Sequence, residues 1–140
     1  MEKKNINLYY WKIRGLGSPV ANLLEYLNVP YNYNQYDFAD RPKWIEDKNK
    51  LIEGGFTNAN LPYIQEESTG FQLSETFAVL YYLATKHNPE LAPKTTDEIT
   101  QAFVVKGIIQ DYNTAITSTT YQSKDTEAVS YTHLTLPTKA

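Results

Sequence analysis

Hydrophobic and polar positions alternate at the start of the chain. Ile6, Leu8 and Tyr10 are interleaved with Asn7 and Tyr9, the period of two that marks a strand. Gly15-Leu16-Gly17 breaks the alternation. Ser18 followed by Pro19 then predicts a helix start, with Ser18 as N-cap and proline at the first helical position. Val20, Leu23, Leu24 and Leu27 fall at i, i+3, i+4 and i+7, which gathers them on one apolar helical face. Asn28-Val29-Pro30 ends that helix, and Tyr31 and Tyr33 alternate with polar residues in a second strand. Strand, helix and strand joined by short links form a βαβ unit, so the two strands are expected to run parallel.

The period changes again at Asp40-Arg41-Pro42-Lys43-Trp44, which opens a short, irregular helix reaching about Leu51 and stopped by Gly54-Gly55. Tyr63-Ile64-Gln65-Glu66, a turn at Ser68-Thr69-Gly70, and Phe71-Gln72-Leu73 predict an antiparallel hairpin. Ser74 reads as the cap of a third helix with Phe77, Leu80, Tyr81 and Ala84 on one face. The order βαβ, helix, ββα predicts a mixed four-stranded sheet with helices on its faces, an α/β fold. A linker with Pro89 and Pro93 follows. Thr95-x-x-Glu98 is a capping box that opens a fourth helix, with Ile99, Phe103, Ile109 and Tyr112 toward one side. Thr114-Ala115-Ile116-Thr117-Ser118-Thr119-Thr120 is weak helix material, so that helix is expected to fade after Asn113. Residues 129–140, from Val129 through His133 to Ala140, show no helical period and resemble translated adaptor sequence; they are set aside from the fold.

Composition narrows the possible chemistry. The chain has 140 residues, 41% hydrophobic and 21% charged, ordinary for one globular domain and short of two full ones. A net charge of -3 argues against nucleic acid as a partner. No apolar run approaches the roughly 18 residues that span a bilayer. There are 0 cysteines, which removes disulfides and any mechanism using a protein thiol, and makes a cytoplasmic setting the default. His87 and His133 have no metal-ligand company in the sequence, so no metal is expected.

The stretch Tyr10-Trp11-x-Ile13-Arg14-Gly15 puts a tyrosine at the mouth of a strand-to-helix turn, where its hydroxyl can meet a docked ligand. It is followed by Arg41-x-x-Trp44-x-x-x-Lys48, Asn60-Leu61-Pro62-Tyr63, and Glu75-Thr76-x-Ala78-Val79-Leu80-x-Tyr82. Four such pieces in this order resemble the cytosolic glutathione transferases, most closely the mu-like group. The likeness is strong from about Asn5 to His87 and continues thinly to about Tyr121. It implies a thioredoxin-like βαβ-ββα N-terminal domain over 1–87, a linker at 88–96, and the start of an all-helical domain over 97–128, before the tail at 129–140. The chain between Tyr36 and Arg41 is shorter than in typical mu-like members, which leaves a sigma-like or another Tyr-type class open. The resemblance also implies that much of the helical domain is missing.

Glutathione is an anionic tripeptide carrying a thiol, so its site must offer cations, polar groups and backbone. The resemblance makes Leu61-Pro62 a cis-proline turn whose Leu61 backbone pairs with the ligand like an added strand, with Asn60 bracing the loop. Glu75 and Thr76 would meet the γ-glutamyl end, where free N–H groups of a helix start attract a carboxylate. The mu-like pattern has Gln-Ser there. Arg41, Trp44 and Lys48 would hold the glycine end, Trp44 and Lys48 sharing a helical face. Tyr10 would be the catalytic residue, framed by Trp11 and Arg14. A free thiol has a pKa of about 8.5, and lowering it by about two units takes roughly 2.7 kcal/mol, much of which one charge-assisted hydrogen bond supplies. Tyr9 is the rival, but strand parity and adjacency to Trp11 favour Tyr10. In the second region Asp111 matches a position reaching across a dimer, and Tyr121 one facing the electrophile.

The implied function is conjugation of glutathione to small electrophiles, a detoxification chemistry needing no cofactor beyond glutathione as co-substrate. The complete protein would be a homodimer, and this chain is expected to bind glutathione but to conjugate poorly. A non-catalytic glutathione-binding or structural module on the same fold, or a glutathione-dependent isomerase, uses the same residues.

Overall fold

A computed structural model describes residues 5–119; Tyr121, His133 and the suspected tail at 129–140 lie outside the described residues. The chain divides into two compact units, Met1–Ala92 and Pro93–Ala140.

The first unit begins with β1 (Ile6–Trp11), α1 (Gly17–Tyr26) and β2 (Tyr31–Tyr36). β1 and β2 pair in parallel, Ile6 opposite Tyr31 and Trp11 opposite Tyr36, as the βαβ pattern predicts. A 3-10 turn at Phe38–Asp40 leads into α2 (Arg41–Glu53), then β3 (Tyr63–Glu66), β4 (Gln72–Ser74) and α3 (Thr76–His87). β3 runs antiparallel to β1, with Leu8 opposite Ile64, and β4 antiparallel to β3. The sheet order is β2-β1-β3-β4, the mixed four-stranded sheet of a thioredoxin-like domain.

Pleating sorts the two faces. Ile6 and Leu8 of β1 and Ile64 of β3 pack with Val20, Ala21 and Leu24 of α1 and with Val79 and Leu83 of α3. The opposite parity carries Tyr9, Trp11, Tyr36 and Tyr63, which pack with Trp44 of α2. Trp44 is the one buried residue of α2, and it docks this helix on the sheet together with half-buried Leu51 and Asp47, which accepts the Tyr36 hydroxyl at 3.1 Å. The result is three layers: α1 with α3, the sheet, and α2.

Helix starts differ from the expectation. α1 begins at Gly17 behind Leu16, with no side-chain cap, so Ser18 and Pro19 sit inside its first turn. The Ser18 N–H instead bonds the Arg14 carbonyl at 3.0 Å, and the turn through Gly15 (φ 34) does the work of a cap. Ser74 is the last residue of β4, and α3 starts behind Glu75, again without a side-chain cap. The buried face of α3 is Val79, Leu83 and Ala84 rather than the face led by Phe77 and Tyr81. Tyr81 is exposed, and Phe77 is only half-buried. Of the expected face, Ala84 is buried and Leu80 packs against the core, while the two aromatics give way to the compact aliphatic Val79 and Leu83.

In the second unit, α4 (Thr96–Thr117) opens with the expected capping box. The Thr95 hydroxyl accepts the Glu98 N–H at 3.2 Å, and Glu98 Oε2 accepts the Thr95 N–H at 3.1 Å. The helix does not fade after Asn113. The hydroxyls of Thr114 and Thr117 donate to the carbonyls of Gln110 and Asn113 at 2.9 and 2.7 Å, so residues that compete for backbone bonds here do so within the helix. No helix among the described residues is long and apolar enough to cross a membrane.

Candidate glutathione site

Tyr10 lies at the end of β1, where its ring is 6% exposed. Two glycines make room for it. A Cβ on Gly15 would stand 2.5 Å from the Tyr10 hydroxyl, and one on Gly17 2.5 Å from ring atom Cδ1. Any other residue at either place would push the ring aside. The Tyr10 hydroxyl accepts the Leu16 N–H at 2.9 Å, which fixes its oxygen at the turn. Tyr9 is held differently. It stacks on Tyr63 with ring centroids 4.4 Å apart, on the opposite face of the sheet. Burial first, then the carboxylates of Glu67 and Asp47, raise its hydroxyl above the ordinary tyrosine value.

The turn that seats Tyr10 also reaches α3. The Leu16 carbonyl accepts the Thr76 hydroxyl at 3.5 Å. Leu16 therefore joins Tyr10 on one side to the start of α3 on the other. Glu75, just before that start, has φ 72 and ψ 110, a left-handed conformation that costs a non-glycine residue about 1–3 kcal/mol. Its carbonyl accepts the Val79 N–H at 2.9 Å, while its side chain is exposed.

The Leu61-Pro62 bond is cis. Leu61 and Pro62 are buried and Asn60 is exposed. The Leu61 backbone makes no hydrogen bond to another described residue, so its N–H and C=O remain available. The brace on this loop comes from Ser74, whose hydroxyl donates to the Asn58 carbonyl at 2.6 Å. Sequence reasoning missed it, because a serine just ahead of a helix reads equally well as a cap.

On α2, Trp44 is 6% exposed and lies edge-on to Trp11 at 6.5 Å and tilted on Tyr36 at 5.3 Å. Trp11 also meets Phe38 at 5.2 Å. Among the described residues no buried polar side-chain atom is left without a partner, and Trp44 makes no hydrogen bond to a described residue, so its indole N–H retains a path to the surface. The cations of this helix divide into two kinds. Lys43 pairs with Asp47 at 3.4 Å and Lys50 with Glu46 at 2.5 Å. Arg41 and Lys48 have no acidic partner among the described residues. Asp111 is exposed on α4, and among the described residues no group of acidic or histidine side chains gathers as a metal site.

The sequence profile of the glutathione S-transferase N-terminal domain matches residues 6–85, more than half of the chain. The chain belongs to the glutathione S-transferase family. Within it the chain is mu-like. It is 34% identical over 117 residues to the class-mu 26 kDa isozyme 7 of Fasciola hepatica, a match covering 84% of this chain and 50% of that protein. It is 33% identical over 119 residues to glutathione S-transferase Mu 1 of Bos taurus, covering 81% of this chain and 51% of that one. The chain thus spans about half the length of the curated relatives it matches. Among solved structures, a nematode-specific transferase from C. elegans superposes with TM-score 0.70 at 20% identity, over 91% of this chain and 59% of that one. A prostaglandin synthase D of Nilaparvata lugens does so with TM-score 0.68 at 23% identity, over 96% of this chain and 61% of that one. At these identities the superpositions speak for the transferase fold.

Proposed function

We propose that this chain binds glutathione along the rim formed by Leu16, Leu61 and the start of α3, and that Tyr10 donates a hydrogen bond to the ligand's sulfur. The observation that carries this reading is the doubly engaged turn at Leu16, with its N–H on the Tyr10 hydroxyl and its C=O on the Thr76 hydroxyl. That turn puts a proton donor beside a helix start suited to a carboxylate. The unpaired Leu61 backbone is suited to an extended peptide. Arg41 and Lys48, without acidic partners among the described residues, suit the glycine carboxylate, with the Trp44 indole N–H as a further donor. Trp11 packs behind them, and Asn60 lies at the loop's surface.

A thiolate stabilised in this way attacks an electrophilic carbon, forming the C–S bond as a leaving group such as halide departs with its bonding electrons. By the same reading the complete protein is a cytoplasmic homodimer that conjugates glutathione to small electrophiles, with Asp111 reaching across the dimer and Tyr121 facing the electrophile. The test is the ultraviolet absorbance of bound thiolate against pH. In the wild-type chain the glutathione thiol should titrate about two units below its free value of about 8.5. Tyr10→Phe should return it to near that value while leaving the glutathione Kd within a few-fold. An unchanged thiol titration in Tyr10→Phe would remove Tyr10 from the reaction.

A further inference from the structure

We infer that Ser74 is a positioning residue for the glutathione site, fastening the two backbone segments that would hold the ligand to one another. The inference rests on the glutathione-binding reading above. Ser74 touches none of the atoms proposed to contact glutathione. It is 4% exposed, and its hydroxyl donates to the Asn58 carbonyl across a gap of 16 residues in the sequence.

The importance of this bond lies in what flanks its two ends. Ser74 directly precedes Glu75, the residue in left-handed conformation that turns β4 into α3. Asn58 begins the short run Ala59-Asn60-Leu61-Pro62 that ends in the cis bond. The other end of this run is fixed where Tyr63 pairs with Ser74 in the β3–β4 ladder. Ser74 therefore holds both ends of the run, through its backbone pairing with Tyr63 and its side chain on Asn58. Between these anchors the Leu61 N–H and C=O bond no other described residue. An extended ligand needs that edge at a fixed distance from the Thr76 turn, because its γ-glutamyl and cysteinyl parts are covalently joined. Without the Ser74 hydroxyl, the 58–61 run loses its side-chain anchor to β4, and the two halves of the site can drift apart. The Asn58 carbonyl, which Ser74 reaches in a part-buried bond, also loses its donor.

The experiment is calorimetric titration of the full chain with reduced glutathione, alongside thermal unfolding. Ser74→Ala should raise Kd by about tenfold, and Ser74→Thr, which keeps the hydroxyl, should restore it to within about twofold. Ile6→Val, a core trim, should lower the unfolding midpoint yet leave Kd unchanged, separating position from general stability. If Ser74→Ala does not fold, Ser74→Cys keeps the volume with a weak donor and should still bind several-fold more weakly. Wild-type affinity in a folded Ser74→Ala or Ser74→Cys chain overturns the role of Ser74 and leaves the glutathione reading standing. Absence of glutathione binding by the wild-type chain overturns both.

Discussion

Tyr10 is held by two separate devices, and they fail in different ways. Its hydroxyl is fixed by the Leu16 N–H, and its ring by the missing side chains of Gly15 and Gly17. Gly17→Ala separates the two effects. Alanine in a helix is favoured over glycine by about 0.5–1 kcal/mol, so by propensity the variant should gain stability. Against that, the new Cβ would lie 2.5 Å from Tyr10 Cδ1 and 2.7 Å from the Tyr33 hydroxyl. The ring is buried and cannot swing clear, and such overpacking costs about 1–3 kcal/mol. The clash wins, so Gly17→Ala should lower the unfolding midpoint by several degrees and weaken glutathione binding with it. A midpoint at or above that of wild type would show that the ring has slack. The turn at Gly15-Leu16-Gly17 beside Tyr10 was legible in the sequence, but the room it makes for the ring was not, since glycine signals a break in a strand whether or not a side chain fills the space. The partner of the hydroxyl was not legible, because Leu16 reads as an apolar residue while it acts here through its peptide group.

Among the elements, the joint between β3 and α3 rests on one carboxylate. Glu66 is 3% exposed and accepts hydrogen bonds from Lys86 Nζ at 2.5 Å, the Tyr82 hydroxyl at 2.9 Å and the Thr69 hydroxyl at 3.1 Å. Burial pushes its carboxyl up, but the bonds from Lys86 and Tyr82 outweigh this and hold it below the ordinary value of 4.5. A carboxyl depressed in the folded state contributes stability above its unfolded value, and that contribution is lost as pH falls through its folded value. The wild-type unfolding midpoint should therefore drop as pH is taken from neutral to below 4.5. Glu66→Gln should cost about 2 kcal/mol at neutral pH, with the gap narrowing in acid; a gap independent of pH would refute the charge account. The pairings β1–β2 and β3–β4 and the face of α1 followed from periodicity alone. The starts of α1 and α3 did not. Serine at 18 and 74 carries the same local signal as a cap, but a tertiary partner, the Asn58 carbonyl, claimed Ser74, and a glycine turn made Ser18 unnecessary. The length of α4 was underestimated for a related reason, since threonine hydroxyls can bond back along a helix as readily as they leave it.

For the whole molecule, the proposed glutathione contacts lie early in the chain, and the positions expected to reach across a dimer (Asp111) and to face the electrophile (Tyr121) lie late in it. The residues from Tyr10 to Thr76 belong to the first compact unit, while Asp111 belongs to the second. In the curated relatives this chain's length accounts for about half. Binding and turnover should accordingly separate in the 140-residue chain: measurable glutathione affinity beside poor turnover of a general aryl halide. Robust turnover that disappears in Tyr10→Phe would show that these residues suffice for the second substrate as well.

The outermost strand carries a consequence for how the folded chain behaves in company. β2 lies at one end of the sheet, and its six residues, Tyr-Asn-Tyr-Asn-Gln-Tyr, contain no charge, proline or glycine. Natural proteins ordinarily guard such a margin with lysine, proline or a bulge. Uncharged runs of six or seven residues, especially with asparagine, glutamine and stacked aromatic rings, are the material of cross-β assembly. The same edge that completes the domain is thus a template on which a second extended chain can align. Loosening of the domain at high concentration therefore favours growth from β2 into insoluble assemblies.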